Sequence, residues 1–120
     1  MDPTFYKIIH IAGVVWALAA IGAVALHVRN GGDKASNQGR GLVGASHGIA
    51  LVLILVSGFG MIAKYQYGFP GWVIAKIVLW LVIGGLLVVP YRAPGSAGLV
   101  WALSPLLGAA AAWLALVKPF

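Results

Sequence analysis

The chain has 120 residues, 62% hydrophobic and only 8% charged, with eight Lys and Arg against two acids for a formal net charge of +6. A soluble domain is roughly a quarter charged, so this composition cannot supply a water-facing surface, and the expected class is integral membrane protein. There is no cysteine, which excludes disulfides, zinc–thiolate sites and thiol nucleophiles; the basic residues stand singly at the ends of apolar runs, as membrane-edge anchors do, and no nucleic-acid partner is expected.

A bilayer core of about 30 Å needs roughly 20 apolar residues in helical form. The opening MDPTFYKII lacks the basic stretch and short apolar core of a cleaved leader, so the first run is expected to be retained as a span over residues 4–28. The segment VRNGGDKASNQGR is polar and glycine-rich and forms the one substantial loop. A second span follows at 42–63, then the short aromatic link KYQYGFPG, a third span at 71–90, the turn YRAPGS, and a fourth span at 97–117. Short links make successive spans antiparallel neighbours, so the expected fold is all-α, one domain, a transmembrane up-down four-helix bundle. The runs are too long for barrel strands and lack their alternation.

Phe5, Tyr6, Tyr65, Tyr67, Phe69, Trp72, Tyr91 and Phe120 fall at span ends, where aromatic belts are expected. Gly13 with Ala17, Ala19 with Ala23, and Gly44 with Gly48 are small pairs at spacing four that allow close helix approach. Pro105 lies inside the fourth span, frees the carbonyl of Trp101 and is expected to kink that helix. Lys7, Lys64 and Lys118 lie on the side of the termini; Arg29, Lys34, Arg40 and Arg92 lie on the other, which points to the first loop inside and both termini outside. The expected location is a bacterial inner (cytoplasmic) membrane.

Ionisable groups within apolar runs mark function by default, and four need explaining: His10, His27, His47 and Lys76. In antiparallel helices His27 and His47 share one leaflet. They are candidate axial ligands for the iron of a haem b held between helices; three histidines allow at most one bis-histidine haem. The plainer readings are an interfacial His27 beside Arg29, and a neutral His47 bonded to a backbone carbonyl or to Ser46. His10 and Lys76 lie on the opposite leaflet at nearly equal depth. Together they suit a porphyrin propionate, a quinone carbonyl or a lipid headgroup, although Lys76 can also snorkel to the interface. Both acids lie outside the apolar runs, so no carboxylate base or hydrolase set is available within them, and what remains is cofactor redox chemistry or none.

With these residues located, FYKIIHIAGVVWALAAIGAVALHVRN resembles the opening of the HemJ-type protoporphyrinogen oxidases and the related SirB and CopD membrane families, through Lys7, His10, His27 and Arg29. SHGIALVLILVSGFGMIAKYQYGFPGWVIAKIVLWLVIGG is similar to the SirB and HemJ pattern, through His47, Ser57, Gly58, Trp72 and Lys76, and the ending VKPF resembles that of HemJ. The resemblance implies a small four-helix membrane protein that binds haem b, oxidises protoporphyrinogen and passes electrons to quinone. The competing expectation is a non-catalytic accessory subunit of a respiratory or photosynthetic membrane complex. In either case the partners are membrane lipid and either further copies of the chain or the other subunits of a larger assembly.

Overall fold

The computed structural model describes residues 2–120, and these form helices and turns without strands. Helix α1, Pro3–Arg29, begins where Asp2 accepts the Thr4 N–H at 3.1 Å and Pro3 supplies a helical φ where no amide donor is needed. Its 27 residues give a length of about 40 Å, enough for both ends to leave the hydrocarbon. It stops at Asn30 and Gly31, the latter at φ 91°, a backbone conformation that side chains rarely allow. Helix α2, Arg40–Tyr65, ends on Gln66 in the left-handed region. Helix α3, Gly71–Leu86, starts after Pro70. A four-residue helix α4, Val89–Arg92, and a 3-10 turn at Pro94–Ser96 lead into α5, Ala97–Val117.

Among the described residues, three stretches are long and apolar enough to cross a membrane: Pro3–Arg29, Arg40–Tyr65 and Pro94–Val117. The third expected span differs. Helix α3 has 16 residues, about 24 Å, and stops short of the expected boundary at 90. Pro90 has no N–H to donate and its ring crowds the carbonyl of Leu86, four residues earlier, so the helix breaks there and resumes as α4 with Pro90 inside its first turn. Pro105 acts differently: α5 continues through it to Val117.

Helix α1 is the hub, flanked by α2 and α5, with α3 against α5; α2 and α3 touch each other least among the neighbours in this ring. The buried positions follow helical spacing. They are Gly13, Ala17, Ala20, Ile21, Val24, Ala25 and Val28 on α1, and His47, Ala50, Ile54 and Ser57 on α2. Most are small, because close backbone approach is what packs helices when lipid is as apolar as the core. Large apolar side chains such as Ile8, Ile11, Val52, Val56, Leu106 and Leu116 point outward. Of the expected small pairs, Gly13 and Ala17 form the α1–α2 seam, where a Cβ on Gly13 would come within 2.9 Å of Ile54 Cγ1. Gly44 and Gly48 face open space, and Ala19 and Ala23 line an outer groove between α1 and α5 with Trp101 and Pro105.

The first loop is internally bonded. The Asp33 carboxylate accepts the Ser36 N–H at 2.8 Å, while Ser36 Oγ accepts the Asp33 N–H at 2.9 Å. Asn37 donates to the Tyr91 hydroxyl at 2.8 Å and so ties the loop to α4. The hydrogen bonds from Ser36, backbone first and then side chain, hold the Asp33 carboxyl below its ordinary pKa. A depressed carboxyl contributes loop order above its unfolded pKa, and that contribution is lost as pH falls through the lower, folded value. Slowed hydrogen exchange at the Ser36 amide is therefore expected at neutral pH, to weaken as pH falls below about 3.9 and to be lost below the lower, folded value; Asp33→Ala should abolish the slowing at every pH.

Candidate functional site

Between α2 and α3, on the side of the chain termini, the ring of helices opens into a partly open cleft of about 340 Å³, within the range of small-molecule sites. Its walls are apolar, from Ile11, Val14, Leu55, Ile77, Leu79 and Ile83, with Trp72 and Trp80. Both His10 and Lys76 line it. Helix α1 carries Lys7, His10, Ile11 and Val14 at spacings of three and four, and so presents them on one face. Trp72 and Lys76 on α3 are four apart and share a face in the same way.

The orientation of His10 is fixed by α2. Its Nδ1 lies 3.0 Å from the Ile54 carbonyl oxygen and 3.0 Å from Ser57 Oγ. The Ser57 hydroxyl donates to the Leu53 carbonyl at 2.5 Å, so its oxygen is left to accept. Both partners of Nδ1 are thus acceptors, Nδ1 carries the proton, and Nε2 keeps its lone pair. Nε2 has no hydrogen-bond partner among the described residues, and no polar side-chain atom among them is both buried and unpaired, so Nε2 is accessible on a residue that lines the cleft. Gly58 makes room for the ring: a Cβ there would approach His10 Cε1 to 3.3 Å.

The deep side of the cleft is closed where α2 and α3 exchange side-chain bonds. Trp80 Nε1 donates to the Leu51 carbonyl at 3.0 Å, and His47 Nε2 donates to the Ile83 carbonyl at 3.0 Å. At the rim, Tyr65 stacks on Tyr67 with centroids 5.1 Å apart, and Tyr67 meets Trp72 edge-on at 5.0 Å. Lys7 Nζ sits 5.2 Å from the Tyr65 centroid, and Lys118 Nζ 5.2 Å from that of Trp72 and 5.6 Å from that of Tyr67, within cation–π range. Phe120 packs against Gly71 and holds the segment after α5 against the start of α3.

The four ionisable residues singled out in the sequence therefore separate. His10 and Lys76 share the cleft. His47 is buried, its Nε2 used on α3. The His27 Nε2–H points into the first loop, 2.8 Å from the Asp33 carbonyl and 3.2 Å from Ser36 Oγ; neither His27 nor His47 lines the cleft. The described residues hold no group of three or more His, Cys, Asp or Glu placed to share a metal ion. Sequence reasoning did not assign Lys7, Lys118, Tyr65, Tyr67, Trp72 and Trp80 to a site. The rim aromatics were expected as belt anchors, yet Trp72 is buried and forms cleft wall. The signal that could have found them is that the start of α1, the link between α2 and α3, and the segment after α5 come together at one end of the helices.

No protein-family model, curated protein or solved structure matches the chain.

Proposed function

We propose that the chain is a four-crossing protein of a bacterial cytoplasmic membrane that binds haem b in the α2–α3 cleft and serves redox chemistry, as the resemblance to the HemJ, SirB and CopD families implies. In this reading α3 and α4 together make the third crossing, and the first loop lies on the cytoplasmic side. The observation that carries the proposal is the placement of His10 Nδ1 3.0 Å from two acceptors, the Ile54 carbonyl and Ser57 Oγ, in a ring that lines the cleft. A ring whose Nδ1–H is held by a backbone carbonyl and a hydroxyl presents Nε2 as a ligand nitrogen, and the same bonds raise its basicity and fix its plane. His10 thereby replaces His27 and His47 as the leading iron ligand, since the cleft is lined by His10 alone of the three.

A bound haem supplies one-electron chemistry; the chain holds, orients and insulates it. Trp72, Trp80, Ile77 and Leu79 give flat and apolar walls, and Lys76 places an ammonium within the cleft. The Ile54 carbonyl and Ser57 Oγ hold the ligand ring. The apolar side chains of the wall lower the local dielectric, which strengthens polar contacts within the cleft.

The test is visible absorption of the purified protein reconstituted with haem in detergent. His10→Ala is expected to weaken haem binding by at least about a hundredfold and to replace the sharp histidine-ligated Soret band, while His27→Ala leaves the band intact. Ser57→Ala is expected to keep haem bound but shift its reduction potential, because it removes one acceptor from the ligand ring. An unchanged band in His10→Ala overturns the assignment. The accessory-subunit reading finds support in the outer groove of Val15, Ala19, Ala23, Leu26, Trp101 and Pro105; a folded protein that takes up no haem would favour it.

A further inference from the structure

The rim of the cleft has a charge pattern that the iron ligand does not explain. Lys7, Lys76 and Lys118 line the cleft, and among the described residues no Asp or Glu does. The chain's two acids are Asp2 and Asp33. Asp2 is occupied as the cap of α1, and Asp33 is bonded within the first loop. Lys7 and Lys118 thus stand exposed at the rim of the apolar cleft and Lys76 half-buried within it, with no Asp or Glu among the described residues lining it.

Two of the three come from opposite ends of the chain. Lys7 is on the first turns of α1 and Lys118 just follows α5; Lys118 donates to the Ala115 carbonyl at 2.6 Å, and Phe120 packs on Gly71. Both ammonium groups rest on the faces of Tyr65, Tyr67 and Trp72, which hold them at the rim and leave further N–H donors on each for a ligand. Lys7 is three residues before His10 on the same face of α1, so the rim charges stand about one turn outside the ligand nitrogen.

We propose that Lys7 and Lys118 form a carboxylate-binding mouth, which grips the anionic edge of the macrocycle at the membrane surface while the ring enters the cleft toward His10. This rests on the haem-binding reading above and adds to it a ligand class, a flat amphiphile bearing carboxylates on one edge, and a direction of insertion. The three rings are positioning residues for the two lysines.

The test compares haem with haem dimethyl ester, in which the carboxylates are capped and the macrocycle and iron are unchanged, by titrating each into the wild type and into a Lys7→Gln/Lys118→Gln double variant and following Soret absorbance. The wild type is expected to prefer the diacid by about tenfold or more, the scale of one or two charge-assisted hydrogen bonds. The double variant is expected to reduce that preference to within about twofold while binding the ester as the wild type does, which also reports that its fold is intact. A preference that survives the double substitution overturns the mouth, as does a wild type that binds both compounds equally; in each of these results His10 stands as ligand. If neither compound binds the wild type, the haem-binding reading falls and the mouth falls with it.

Discussion

Gly13→Leu is expected to destabilise the protein by about 3 kcal/mol, the upper part of the range for overpacking a close interface. A Cβ at this position would meet Ile54 Cγ1 at 2.9 Å and the Ala50 carbonyl oxygen at 3.2 Å. The first is a branch near the backbone and the second is backbone, so neither can move without separating α1 from α2. Ile54 also supplies the carbonyl that holds His10 Nδ1, so the same substitution should loosen the His10 ring and, on the proposed haem-binding reading, weaken haem binding. Gly48→Leu is the matched control. Nothing lies within 4 Å of a Cβ there, the new side chain meets lipid, and the change should stay within about 0.5 kcal/mol. Unfolding by sodium dodecyl sulfate in mixed micelles, followed by far-ultraviolet circular dichroism, measures both; equal losses for the two variants would refute the seam.

Gly13 and Gly48 show what the sequence makes legible and what it hides. Both belong to small pairs at spacing four, and in a soluble helix the polarity of their neighbours would tell which face is buried. Here both faces are apolar, because one meets lipid and the other meets helices, so hydropathy finds the spans and does not orient them. Residue size carries more, since Ala17, Ala20, Ala25, Ala50, Ser57, Ala97 and Ser104 are buried while Ile8, Val52 and Leu106 are not. The boundary at Leu86 was readable in principle from Pro90, whose effect falls four residues upstream. Depth along antiparallel helices put His10 and Lys76 at one level. It could not reveal that α2 and α3 stand apart to form a cleft there, nor which ring nitrogen each histidine spends. Those depend on carbonyls of Ile54 and Ile83, and a carbonyl has no sequence signature.

His47 is the residue for which that hidden choice matters most. It is buried, and its Nε2–H is donated to the Ile83 carbonyl, joining two helices with little other contact. His47→Leu keeps the bulk but leaves that carbonyl without its donor. In bilayer-embedded helices such bonds average about 0.6 kcal/mol and reach about 1.7. The upper figure is expected here, because the α2–α3 pair has only Trp80 as a second bridge. His47→Gln offers an N–H in place of the imidazole and is expected to recover at least half of the loss. Glutamine does not replace imidazole at haem iron, so the same variant separates strut from ligand. If His47 is a strut, His47→Gln recovers stability and keeps the histidine-ligated spectrum, with haem bound through His10. If the variant is as stable as the wild type but loses the spectrum, His47 is the iron ligand and the role given to His10 fails. The two readouts are independent because the bond to Ile83 uses Nε2 on the α3 side, whereas the cleft is reached from the ring of His10 on α1.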